Sequence, residues 1–134
     1  MPDSRLNFAH LCDTAFLSKD GKLNIIGIFE NISAAKFPTR HPRMTLVMNL
    51  HLSKGTHPFK LRMVKDEDNS TVTQVEGNIE YKGDEGNAGL INEFLDITFQ
   101  GPGKYSLEIW VDDEPVGENG KISFVVAERR GNKG

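Results

Sequence analysis

Tyr105, Leu107, Ile109 and Val111 alternate with Ser106, Glu108 and Trp110, and further on Ile122, Phe124 and Val126 alternate with Ser123 and Val125. A period of two sends one set of side chains to a core and the other outward, which is the signature of a strand with one buried face. The spacing therefore predicts strands over 104–112 and 121–127, joined by an acidic connection over 113–120. No long helical period competes with this pattern elsewhere in the chain, so the C-terminal third sets the fold class.

Six further segments read as strands: 6–17, 23–30, 44–52, 59–65, 71–81 and 90–99. Ser18-Lys-Asp-Gly-Lys22 is a turn, because Asp-Gly readily supplies the positive φ of a hairpin. Ile25-Ile-Gly-Ile-Phe29 is an unbroken apolar run, expected of a strand covered on both faces or one lying at a protein contact. Met44, Leu46, Met48, Leu50 and Leu52 give the cleanest alternation. Residues 31–42, 53–57 and 82–89 read as connections, rich in Gly, Pro and polar residues, and Asp66-Glu-Asp-Asn69 as an acidic turn. Segment 90–99 fits a helical face through Leu90, Ile91, Phe94 and Leu95, and a strand face through Ile91, Leu95, Ile97 and Phe99. The strand is preferred, since Ile97-Thr-Phe99 favours β structure. Eight short strands joined by turns predict an all-β chain, a single antiparallel β-sandwich over 1–134 with 130–134 as a frayed tail.

The length suits one domain, burying roughly two-thirds of the unfolded surface. One cysteine, Cys12, excludes an internal disulfide framework and suits a reducing compartment. Met1-Pro-Asp-Ser-Arg5 lacks a basic region followed by an apolar run, and no apolar stretch approaches the ~20 residues of a membrane span. A cytoplasmic protein without membrane contact is expected. Residues 1–67 carry 10 Lys/Arg against 6 Asp/Glu, and residues 68–134 carry 6 against 13. In one interleaved domain this asymmetry predicts pairing between the two halves of the chain.

If each connection reverses the chain, 18–22, 53–57, 82–89 and 113–120 share one end, and 31–42, 66–70 and 100–103 the other. The first end gathers Asp20, Asp84, Glu85, Asp113, Glu114 and Glu118, with Asp112 at its margin. The second sets Lys36, Arg40, His41 and Arg43 beside Asp66, Glu67 and Asp68. Oxygen ligands from several loops could hold calcium, which makes Asp20, Asp84 and Asp112 the metal candidates. Interspersed lysines oppose that reading, and solvated turns favour Asp for backbone reasons alone.

His10 and Cys12 share a strand face, as a base and nucleophile would, but their apolar segment favours a buried structural thiol. Zinc spacing, a phosphate loop and a Gly-x-Ser-x-Gly elbow are all lacking. Basic residues without interleaved aromatics argue against nucleic acid. Trp110 faces away from the expected core, so the expected binding surface is Trp110 with Glu108, Asp112 and Asp113. No cofactor is implied.

The run Cys12-Asp-Thr-Ala-Phe-Leu-Ser-Lys-Asp-Gly-Lys-Leu-Asn-Ile-Ile-Gly-Ile-Phe29 resembles an uncharacterised family of small bacterial proteins. So do Phe37-Pro, His41-Pro and Gly103-Lys-Tyr-Ser-Leu-Glu-Ile-Trp-Val-Asp-Asp113. The resemblance implies an immunoglobulin-like β-sandwich and brings no activity. The ending also looks, more weakly, like sandwich domains that bind membranes through calcium. The reading is a non-enzymatic binding or interaction module, acting on a protein partner or on itself through a face or an edge strand. A calcium- or small-ligand-binding sandwich is the alternative, and a hydrolase the second.

Overall fold

A computed structural model describes residues 5–117 and 120–129 of the chain. Among them there is no α-helix, and no helix long and apolar enough to cross a membrane. The strands are β1 (Leu6–Leu17), β2 (Leu23–Ile28), β3 (Asn31–Ala34), β4 (Thr39–Lys65), β5 (Ser70–Phe99), β6 (Gly103–Val111), β7 (Glu114–Pro115) and β8 (Lys121–Glu128). They form one open, mostly antiparallel sheet of order β2-β1-β4-β6-β8-β3, with β5 on β4 and β7 on β6; β3 and β8 run parallel.

The frame is a long hairpin. β4 and β5 pair from Thr39↔Phe99 to Lys65↔Ser70, with a register shift between Ser53 and Gly55. On the first side of the shift β4 also takes β1, from Leu6↔Leu50 to Cys12↔Thr45. Beyond it β4 takes β6, from Phe59↔Val111 to Lys65↔Tyr105. A bulge bends its strand, so one continuous strand changes neighbours at its bend. This corrects the sequence reading: 53–57 and 82–89 are not connections. Their Gly-rich composition looks like loop, yet both continue the β4–β5 ladder: Gly55, Thr56 and His57 pair with Tyr81, Glu80 and Ile79, and Glu85 to Gly89 pair with Ser53 to Asn49.

Two short strands escaped the sequence. β3 lies inside the expected connection 31–42, and β7 inside 113–120. β6 and β7 are joined by Asp112 and Asp113, at φ 54° and 63°, a two-residue turn whose twist suits a hairpin. Glu118 and the tail 130–134 lie outside the described residues.

The inward faces form one core. Met44, Leu46, Met48, Leu50 and Leu52 meet Leu61, Met63, Leu107, Ile109, Phe124 and Val126 in it. Phe99 of β5 packs edge-on against Tyr105 of β6 (centroids 5.0 Å) and Phe124 of β8 (6.1 Å), so side chains from both ends of the long hairpin's neighbourhood are joined. The Tyr105 hydroxyl donates to the Gly101 carbonyl at 2.7 Å, which satisfies its polar tip. The expected inward set of β6 is confirmed. Segment 90–99 is strand, but Leu95 is exposed where it was expected inside, while Phe94, Ile97 and Phe99 are buried. Asp96 at φ 53°, beside Pro42 on β4, breaks the alternation at that point.

The charge asymmetry resolves as pairing between chain halves. Arg5–Asp112, Arg40–Asp96, Arg43–Glu93, His51–Glu85 and Arg62–Glu108 each join a first-half cation to a second-half acid. The partners differ from expectation: Arg40 and Arg43 pair across the β4–β5 ladder rather than with Asp66, Glu67 and Asp68. Asp66 instead accepts from Ser106, and Glu67 pairs with Lys65.

Candidate functional site

Cys12 is the point at which β1 changes hands. It pairs with Thr45 of β4 on one side and with Ile28 of β2 on the other. The residues beyond it, Thr14 to Leu17, pair with Leu23 to Ile26, and among the described residues no third strand pairs with that part of the ribbon. Its tip is the expected turn: the Ser18 and Gly21 amides donate to the Lys22 and Ser18 carbonyls, both at 2.8 Å, and Gly21 sits at φ 84°. The tip stands beside the outer face of β4, where Leu17, Gly21 and Leu23 bound a cleft of about 380 Å³ with Val47, Asn49 and Ile91.

Both faces of the ribbon carry exposed apolar side chains: Leu17 (63% exposed) and Leu23 (37%), paired with each other at the cleft, and Phe16 (47%), Ile26 (49%) and Ile28 (56%) on the opposite face. The pairs Cys12↔Ile28, Thr14↔Ile26 and Phe16↔Asn24 put Phe16, Ile26 and Ile28 on one face. The run Ile25–Phe29 is therefore not covered on both faces; with β2 at the sheet's end, its outer side has no strand to cover it. Leu23 to Ile28 carries no charge, so none of the common devices of charged edge residues guards this edge.

A second locus forms where β4 bends. The His57 Nδ1–H donates to Asp112 Oδ2 at 2.8 Å and the Nε2–H to the Ser53 carbonyl at 2.8 Å. A carbonyl and a carboxylate facing the two ring nitrogens favour the doubly protonated ring. The Ser53 carbonyl and then the Asp112 carboxylate hold its pKa above the usual 6.5, against burial and the nearby Arg5 charge. Arg5 Nη1 reaches the same carboxylate oxygen at 3.1 Å. One acid thus ties the start of β1, the bend of β4 and the β6–β7 turn. At the surface, His51 Nε2 meets Glu85 at 2.7 Å and Nδ1 meets Asn87 at 3.2 Å; Glu85 first, then Asn87, raises its pKa.

The outer face of β4 and β6 is polar and closely paired. Arg62 donates to Glu108 Oε1 at 3.2 Å, to Thr71 Oγ1 at 2.9 Å and to the Asn69 carbonyl at 3.1 Å. Ser106 donates to Asp66 at 2.8 Å. Lys60 Nζ stands 4.3 Å from the Trp110 ring centroid. Trp110 is half-buried, with Pro115 opposite it on β7.

The sequence-based candidates are thus dispersed. Trp110 and Asp113 line one cavity, Glu108 is held by Arg62, and Asp112 turns to His57 and Arg5. Asp20 is bonded to Ser18 at the ribbon tip and Asp84 lies mid-strand on β5, so Asp20, Asp84 and Asp112 are not brought together. Among the described residues no group of three or more His, Cys, Asp or Glu side chains is placed to hold a metal ion. The Cys12 thiol faces the Thr14 and Thr45 carbonyls at 3.4 and 3.6 Å, and burial pushes its pKa up. His10 stacks instead on Phe8, with ring centroids 5.7 Å apart.

Arg5, His57 and Lys60 were missed as site residues. The His57–Asp112 contact spans 55 positions, and nothing local announces it. The bare ribbon had a signal in the charge-free run of β2.

No curated protein matches the chain. One family's sequence pattern matches residues 7–126, nearly the whole described chain. The chain accordingly belongs to the Family of unknown function DUF6941.

Proposed function

We propose that the protein is a non-enzymatic interaction module that associates through the β1–β2 ribbon, with a second copy of itself as the partner. One observation carries this reading. Among the described residues, five of the seven exposed large hydrophobics (Phe16, Leu17, Leu23, Ile26 and Ile28) belong to this one ribbon. Scattered exposed apolar side chains need no explanation, whereas a set gathered on one ribbon, with Phe16, Ile26 and Ile28 on a single face, marks a contact surface. The uncharged β2 supports self-pairing, since two antiparallel copies bring no like charges together. Pairing centred on Ile26 sets Ile26 against Ile26 and Asn24 against Ile28, on the same face as Phe16. The association is isologous and closes after two copies. The buried, unpaired thiol of Cys12 suits a reducing compartment, and the cytoplasm is the proposed setting.

Sedimentation velocity over a range of concentrations tests the reading. The wild-type chain is expected to form dimers as concentration rises, and Ile26→Lys and Ile28→Lys to remain monomers with unchanged melting temperature. A wild-type chain that stays monomeric at high concentration removes the self-association.

A further inference from the structure

A cavity of about 520 Å³ opens on the outer face of the β4–β5–β6 strands, lined among others by Lys60, Glu76, Asn78, Trp110 and Asp113. The register puts three of these on one rung, Lys60 opposite both Glu76 and Trp110. Directly paired residues share a face, so an ammonium, a carboxylate and an indole stand in a row.

The chain itself shows what the indole accepts. Lys60 Nζ lies 4.3 Å from the ring centroid, within the range at which the π face attracts a cation. Among the described residues Lys60 forms no ion pair, although Glu76 is its neighbour on the rung. Glu76 takes only the Gln74 amide, at 3.2 Å. Asp113 has no hydrogen-bond or ion-pair partner among the described residues. It also stands at φ 63°, a turn position where glycine or asparagine is less strained. The cavity therefore holds two carboxylates outside any ion pair, one ammonium and one π face. It is one cation short. The π face of Trp110, which already holds an alkylammonium, favours an organic cation.

We propose that this cavity binds an organic ammonium, a primary or quaternary amine on an aliphatic arm, seated on Trp110 with Glu76 and Asp113 as counter-charges. Lys60 holds the seat in the empty protein and swings to solvent when the ligand enters. The same chemistry is offered by a free small amine and by the lysine side chain of a polypeptide.

Trp110 is the only tryptophan in the chain, so its fluorescence reports the site directly. Choline and N-acetyl-lysine amide are titrated separately, each against sodium chloride at matched ionic strength. A saturable change with either amine and none with salt is expected; tighter binding of choline assigns a free amine, and tighter binding of the lysine amide a polypeptide source. Lys60→Met, which removes the competing ammonium, is expected to tighten binding several-fold. The double variant Glu76→Gln, Asp113→Asn is expected to weaken it about tenfold or more. These positions face solvent, and an unchanged melting temperature shows that each variant is folded. No saturable change with either amine in both wild type and Lys60→Met overturns the proposal. So does binding that the double variant leaves untouched.

Discussion

The outer face of β4 and β6 and the bare face of the β1–β2 ribbon are both strand surfaces turned from the core, and they are finished in opposite ways. On the first, Arg62 engages Glu108, Thr71 and the Asn69 carbonyl, Ser106 engages Asp66, and Lys60 covers Trp110. On the second, Phe16, Ile26 and Ile28 stand in solvent beside an uncharged edge. On the first surface the groups around Arg62 and Ser106 are satisfied within one chain, and only the cavity beside Trp110 stays open. The second is complete only when something covers it, and this difference, rather than any catalytic grouping, points to where the molecule associates.

Substitutions should separate the two surfaces by their effect on the isolated fold. Leu107→Ala, on the inward side of β6, removes a fully buried side chain from the shared core. It is expected to cost about 2–5 kcal/mol in chemical denaturation. A small effect there would mean that the two halves of the long hairpin do not depend on one core. Next comes the junction that holds these halves. Asp112→Asn keeps a residue tolerant of positive φ and removes the charge shared by His57 and Arg5. A loss of roughly 1 kcal/mol is expected, since hydrogen bonds to charged groups are worth more than neutral ones but this one is partly exposed. No loss would make the junction an ornament of the bend.

The same junction gives a pH dependence of defined sign. The folded pKa of His57 lies above its unfolded value of about 6.5. Its stabilisation is therefore complete below about pH 6.5 and fades as pH rises through the higher folded pKa. His57→Gln should remove this component, so the stability difference between wild type and variant shrinks from acid to alkaline pH. A constant or growing difference contradicts the assignment. The smallest effect on stability belongs to the ribbon: Phe16→Ser should change unfolding free energy by about 0.5 kcal/mol or less while abolishing association. A large loss would show that Phe16 supports the monomer after all.

Much of this contrast was legible in the sequence, and the reason is local. The bounds of β1, the Ser18–Lys22 turn and the inward set of β6 follow from alternation and turn chemistry between near neighbours. The full lengths of β4 and β5 do not, because Ser53-Lys-Gly-Thr-His57 and Lys82–Gly89 have the composition of loops and become strand only by pairing across the long ladder, His57 with Ile79 and Gly89 with Asn49. β3 is four residues long and is held by a parallel partner, β8, far along the chain. The His57–Asp112 tie and the Lys60–Trp110 contact are also long-range. The uncharged run of β2 was visible, but it fitted a strand covered on both faces as well as one at a protein contact until the structure placed β2 at the end of the sheet.

The central claim is that β2 is the contact edge. Amide hydrogen exchange of the wild-type chain, followed by peptide mass at low and high protein concentration, tests it most directly. The account predicts that amides within Leu23–Ile28 gain protection as concentration rises while those of β6 and β8 do not change. Equal exchange of Leu23–Ile28 at both concentrations, or protection gained elsewhere instead, would contradict it.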